Sequence, residues 1–227
     1  MIGGVTVNNT PHVPVDIIKW KLDQVKRHSS RRANSNIYYV TDLEKCAMKR
    51  WFETHLTELN SIRVLNGRLI FGDIIHVGIL TILKEIYGNR IVTEVENPDA
   101  VSAEKKVIVD GRKYIITGRI DAILDKTIGV EIKSNVSPVD VPLPVPWHIT
   151  QARTYNWLFE LQKTRLIYVT PHGLFQYEVD NPITVEEIKS IILSEKSPKY
   201  SWECKTCEFA SICPIYRLKR ERELNGG

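Results

Sequence analysis

Apolar and polar positions alternate most clearly between residues 90 and 134. Four runs there, RIVTEVE, KKVIVD, RKYIITGRIDAIL and TIGVEIKS, are rich in β-branched residues and predict strands. Asp110-Gly111, between the second and third, is a strong hairpin signal, so the stretch reads as a meander. Two further strands are predicted at TRLIYVT and LFQYEV. Helical spacing predicts an amphipathic helix over residues 15–28, others over 67–87 and 148–161, and one opened by Thr184. Residues 67–87 are apolar on most sides, the pattern of a buried helix, and His76 lies in the middle. Thr41-Asp42-Leu43-Glu44 reads as a capping box that puts Cys46 near the start of another helix. The proline-rich SPVDVPLPVPW predicts an irregular loop, because proline fixes φ and removes a donor.

Composition narrows the class. A chain of 227 residues, 43% of them hydrophobic, can bury one good core, alone or with a small lobe. No repeat or low-complexity tract is present. The apolar runs are shorter than a membrane span needs, and MIGGVTVNNTPHVPVD lacks a signal-peptide pattern, so the expected location is cytoplasmic. The net charge of +4 is compatible with a polyanionic partner without indicating one. The absence of a G-x4-G-K-[ST] loop argues against an ATP-driven motor.

The chemistry concentrates in GRIDAILDKTIGVEIKS. Side chains alternate along a strand, so Glu131 and Lys133 share one face while Val130 and Ile132 share the other. With Asp125-Lys126-Thr127 as a three-residue loop, paired positions sum to 252 and Asp121 falls opposite Glu131. Opposed β carbons lie roughly 4.5–5.5 Å apart. Two carboxylates that close repel each other unless a cation lies between them, and oxygen donors suit Mg²⁺ or Mn²⁺. Lys133 could then hold a water and offset charge on a phosphoryl group, which is what phosphodiester hydrolysis requires. The plainer reading is a solvated face on which the three charges pair with one another. His76 in an apolar helix also reads as an ordinary core residue, and Gln151 and Tyr155, four apart on one helix face, as ordinary half-buried positions. His148, one turn earlier, reads more readily as an incidental surface histidine than as a substrate contact.

Cysteines supply a second line. Cys204, Cys207 and Cys213 form C-x2-C-x5-C followed by Pro214, and Cys46 stands alone. In a reducing compartment these are thiols, and four of them could hold an iron–sulfur cluster or tetrahedral zinc. Either would staple the C-terminal segment to the Cys46 helix. The basic runs RHSSRRANSN and YRLKRERE, with Trp51, Trp147, Trp157 and Trp202, could line a groove for single-stranded DNA or simply be surface and core.

His76 in a helix, GRID ending in Asp121, EIK spanning Glu131 to Lys133, and QARTY with Gln151 and Tyr155 resemble, in that order, the RecB-like branch of the PD-(D/E)xK nuclease superfamily. With Cys46 upstream and Cys204, Cys207 and Cys213 downstream, the chain is similar to CRISPR-associated exonucleases that carry an iron–sulfur cluster, or to their viral relatives. The resemblance spans about residues 40–215, with Ile120 where the motif has proline. It implies an α/β restriction-endonuclease-like core over residues 67–200, with a mixed central sheet flanked by helices. An N-terminal helical part, 1–66, and a C-terminal segment, 201–227, would form the cluster lobe of one compact unit. It further implies metal ligation by His76, Asp121, Glu131 and the Ile132 carbonyl, Lys133 as catalytic lysine, Gln151 and Tyr155 as its helpers, and a 4Fe-4S cluster on the four cysteines. The activity implied is that of a Mn²⁺- or Mg²⁺-dependent DNA exonuclease, 5′-to-3′ on single strands or frayed ends, with endonuclease activity as an addition. Its setting would be CRISPR spacer acquisition beside integrase proteins, or viral DNA processing. Rival readings are a DNA-binding adaptor for an integrase or helicase and an electron-transfer iron–sulfur protein.

Overall fold

The computed structural model describes residues 19–23, 25, 34–59, 67–134, 142–194 and 196–224. The helix expected over 15–28 lies outside them except at 19–23 and 25, as do residues 27–33 of the basic run and 137–141 of the proline-rich loop. A short strand β1 (Ile37–Tyr39) leads through a 3₁₀ turn, Val40–Glu44, to helix α1 (Ala47–His55), whose N-cap is Cys46. The turn is not capped by Thr41 and Glu44. Asp42 instead accepts from the Tyr39 amide (3.0 Å), while Glu44 accepts from the Tyr200 hydroxyl (2.7 Å).

Helix α2 (Gly67–Tyr87) precedes strands β2 (Ile91–Thr93), β3 (Ser102–Val109), β4 (Arg112–Arg119), β5 (Ala122–Leu124) and β6 (Ile128–Ser134). The β3–β4 hairpin turns at Asp110-Gly111, both at positive φ (48° and 74°), as that dipeptide predicts. The single run expected over 112–124, however, divides. β4 pairs with β3 and, in parallel, with β1. The chain then leaves that sheet at Ile120-Asp121, and β5 joins a second one. An unbroken meander is therefore not what forms. Two sheets do, in the orders β1-β4-β3 and β2-β5-β6-β7-β8, with Asp121 at the seam.

After β6, helix α3 (Pro146–Phe159) is followed by β7 (Lys163–Thr170), β8 (Gly173–Val179), α4 (Val185–Leu193) and α5 (Pro214–Leu224). β6 and β7 run parallel, which requires the long crossover that α3 supplies, and the other pairs of this sheet are antiparallel, giving the mixed sheet expected. Proline at the first turn starts α3, since the missing N–H there has no intrahelical partner anyway. The basic tail is helical for the same reason, opening on Pro214. Thr184 caps α4 as expected, accepting from the Glu187 amide (3.1 Å) while Glu187 accepts from the Thr184 amide (2.8 Å).

Val130, Ile132, Ala122 and Leu124 pack with Leu80 of α2, and Ala152 of α3 packs with Leu166, Tyr168 and Val179 of β7 and β8. A third cluster, around Ile116, Ile120, Tyr155 and Leu158, fills the space between the two sheets, α3 and α4. Gly118 is required there. A β carbon on it would lie 2.5 Å from Val40 Cγ2 and 3.1 Å from Tyr155 Cε1. The expectation that α2 is buried all round fails: Phe71, Ile74, Ile82 and Ile86 are exposed, because α2 covers one side of one sheet only. No helix among the described residues is long and apolar enough to cross a membrane.

Candidate active site and cysteine lobe

The β5–β6 register places Ala122 opposite Val130 and Leu124 opposite Ile128, so paired positions do sum to 252, and one step past the end of the ladder that register brings Asp121 to Glu131. The turn is tight: Asp125 and Lys126 take φ of 49° and 62°, and the Thr127 amide donates to the Leu124 carbonyl (3.2 Å). Asp121 and Glu131 are both buried, at 7% and 4% exposure, which excludes the plainer reading of a solvated charged face.

Each group is held by identifiable contacts. The Ile132 amide donates to Asp121 Oδ2 (2.6 Å). A strand residue turns its N–H and C=O to the same side, so the Ile132 carbonyl faces the same space. Lys133 Nζ donates to Glu131 Oε1 (2.7 Å) and to Gln151 Oε1 (2.8 Å). Gln151 Nε2 donates to Glu131 Oε1 (2.8 Å) and to the Tyr155 hydroxyl (3.2 Å), which donates to the Arg119 carbonyl (2.9 Å). The one-turn spacing of Gln151 and Tyr155 on α3 thus becomes a polar chain that fixes the lysine. From α2, His76 Nδ1 comes within 3.5 Å of Asp121 Oδ2.

Electrostatics follow from this crowding. Burial and the neighbouring Asp121 push the Glu131 carboxyl up to about 7, although Lys133 opposes them. Burial would by itself lower the His76 pKa, but the hydrogen bond and charge of Asp121, with Glu131, hold it above the usual value. Glu131 Oε2 is buried without a hydrogen-bond partner. A buried carboxylate oxygen with no protein partner, in a cluster that also offers a second carboxylate and an imidazole, is a donor set that fits Mn²⁺ or Mg²⁺.

One residue near the site, Glu94, escaped the sequence reading, and another, His148, departs from it. Glu94 follows β2, its amide donates to the Asp121 carbonyl (2.9 Å), and ligand atoms of His76, Glu94 and Asp121 lie within 4.8 Å of one another. Burial first, and Asp121 next, raise its pKa. Only the pairing of β2 with β5 brings it there, and nothing local in the sequence announces that pairing. His148 is not an incidental surface residue: its Nδ1 lies 3.0 Å from the Tyr168 hydroxyl, and burial with the charge of Lys133 drives its pKa down to about 3.

No disulfide joins the four cysteines, and Cys207 and Cys213 pack in one cluster with Phe52 of α1, the helix that Cys46 caps. The Cys46 amide donates to Glu203 Oε1 (2.9 Å), the Ala47 amide to the Lys196 carbonyl (3.2 Å) and the Met48 amide to Ser197 Oγ (2.9 Å). Phe52 of α1 stacks on Phe209 (centroids 5.2 Å apart), and Cys213 and Cys207 pack beside them. Burial raises the Cys207 thiol pKa, with Cys46 among the groups it senses. Cys204 stands half-buried in the 3₁₀ turn Glu203–Thr206. Of the tryptophans, Trp157 belongs to the core, Trp51 is exposed and stacks on His55, and Trp147 packs against Tyr200 and the exposed Trp202 (5.0 Å each).

No protein-family model matches the chain. It is 35% identical over 206 residues to the CRISPR-associated exonuclease Cas4 of Saccharolobus solfataricus, an alignment covering 87% of this chain and 96% of that protein. The crystal structure of SSO0001 superposes with a TM-score of 0.77 at 35% identity, covering 89% of this chain and 96% of that one. A likeness to an alkaline exonuclease from Laribacter hongkongensis, TM-score 0.43 at 11% identity over 89% of this chain and all of the other, is too weak to carry an argument. The mixed sheet and its helices therefore define the class as a RecB-like nuclease fold. Within that class, the chain belongs to the CRISPR-associated Cas4 exonuclease family.

Proposed function

We propose that the protein is a Mn²⁺- or Mg²⁺-dependent deoxyribonuclease that hydrolyses phosphodiesters at the Asp121–Glu131–Lys133 cluster. The observation that carries this reading is the buried, unpartnered Oε2 of Glu131 beside Asp121, with the Lys133 ammonium fixed 2.7 Å from Oε1. His76, Asp121, Glu131 and the Ile132 carbonyl would hold the cation, which when bound polarises a phosphoryl oxygen and acidifies water. Lys133, oriented by Gln151, places positive charge where an attacking water and the phosphoryl oxygens meet, offsetting the negative charge that grows as the water oxygen bonds to phosphorus. Tyr155 locks Gln151 in that role. Neutral His148 adds no further positive charge beside Lys133.

The family supports exonucleolytic action, since the Saccharolobus relative is named an exonuclease. The finer parts of the proposal are 5′-to-3′ polarity on single strands or frayed ends with added endonuclease activity, and a role in trimming DNA before spacer integration beside CRISPR integrase proteins. They rest on the resemblance. A 4Fe-4S cluster on Cys46, Cys204, Cys207 and Cys213 is proposed on the donor set, with Cys207 and Cys213 packed against the helix that Cys46 caps and the Cys46 amide bonded to Glu203 beside Cys204. The organisation proposed with it has residues 67–200 as nuclease core and 1–66 with 201–227 as cluster lobe. Incubating 5′- and 3′-end-labelled single-stranded DNA with Mn²⁺, Mg²⁺ or chelator tests the activity. Metal-dependent product ladders that vanish in Lys133→Ala, with DNA binding retained, are expected; cleavage by Lys133→Ala at the wild-type rate would sink the assignment of this site, and DNA binding without cleavage by the wild type would favour the adaptor reading.

A further inference from the structure

Asp121 has a carboxylate neighbour on both sides. β2 pairs with β5 so that Thr93 faces Ala122, and continuing that register sets Glu94 opposite Asp121, as the Glu94 amide to Asp121 carbonyl bond of 2.9 Å confirms. Extending the β5–β6 register one step past its last pair, Ala122 with Val130, sets Glu131 on the other side. Directly opposed residues project from the same face of a sheet, so Glu94, Asp121 and Glu131 form a row across three strands. From this row and the His76 imidazole, we infer that Glu94 is a further ligand of the active-site cation, approaching it from the side of Asp121 away from Glu131.

Three independent features point the same way. The ligand atoms of His76, Glu94 and Asp121 lie within 4.8 Å of one another, a spacing one ion can bridge. The second oxygen of Glu131, in the same row, is buried without a hydrogen-bond partner, so the row holds a donor that a cation would satisfy. Finally, Arg119 Nε pairs with Glu94 Oε2 at 2.7 Å, and a carboxylate accepts at both oxygens, so that pair leaves Oε1 for a cation. Arg119 immediately precedes the seam at which the chain passes between sheets. It therefore steers the Glu94 carboxylate without being a ligand itself. The assignment rests on the cation-dependent reading of the site and adds to it a donor on a different strand.

The competing account makes Glu94 only the partner of Arg119, and the two accounts separate in metal binding measured without DNA. Metal-free protein is titrated with Mn²⁺ while electron paramagnetic resonance follows the free aquo ion, and a circular-dichroism melt checks that each variant is folded. Glu94→Gln should weaken Mn²⁺ binding by about 100-fold or more, as loss of a charged donor does, whereas Arg119→Gln, which keeps the carboxylate but frees its orientation, should weaken it by only about 10-fold. Equal weakening in both variants, or wild-type affinity in Glu94→Gln, would overturn the assignment. If wild type and Glu131→Gln alike fail to take up Mn²⁺, the hydrolase reading falls, and this inference with it.

Discussion

Replacing Glu131 by glutamine separates the cost of this carboxylate from its use. Burial and Asp121 move its pKa from 4.5 to about 7 in the folded protein. The folded state therefore retains a proton between those values that the unfolded chain releases, so stability is full below pH 4.5, falls as pH rises to 7, and is flat above. A displacement of that size is worth about 3 kcal/mol. Glutamine has the shape of the protonated acid, and its carbonyl can still accept from Lys133 and Gln151 as Glu131 Oε1 does. Glu131→Gln should therefore match wild type to within about 1 kcal/mol near pH 5 and exceed it by about 3 kcal/mol at pH 8, with chelator present throughout. Urea unfolding at the two pH values measures this. Adding Mn²⁺ at pH 8 should raise the wild-type midpoint and leave that of the variant nearly unmoved, because a ligand stabilises only the state that binds it. A stability difference that is the same at pH 5 and pH 8 would refute the argument.

Other substitutions probe the supports of the site. Gly118→Ala drives a β carbon to 2.5 Å from Val40 Cγ2 and should cost about 1–3 kcal/mol at every pH, read from the urea midpoint. Gln151→Ala releases Lys133 from its second contact and should slow cleavage about 10- to 100-fold, seen in single-turnover rates, and cost about 1–3 kcal/mol by leaving its buried partners unpaired. Phe209→Ala removes the ring stacked on Phe52 and should cost about 3–5 kcal/mol, and under the proposed cluster assignment iron content and visible absorbance should fall with it.

The hairpin that carries Asp121 and Glu131 was legible in the sequence because its information is local. The loop length over Asp125–Thr127 fixes the register, and the register sets Asp121 against Glu131. The Gln151 and Tyr155 contacts were legible for a similar reason, since one helical turn separates them. The division of residues 112–124 between two sheets was not, because Ile120-Asp121 carries no glycine or proline; the break comes from distant partners, β1 and β3 on one side and β2 and β6 on the other. Glu94 was missed for the same cause. The exposure of Ile74 and Ile86 was missed because an apolar pattern records what a helix could bury, not how many neighbours the fold supplies.

The bonds running from Lys133 through Gln151 and Tyr155 to the Arg119 carbonyl begin in one sheet and end in the other. They form a strut across the join, so the lysine cannot shift without disturbing how the two layers sit against each other. Anything that pries those layers apart, by heat, pressure or a wedge at residue 118, should blunt the reactive centre before the chain as a whole gives way.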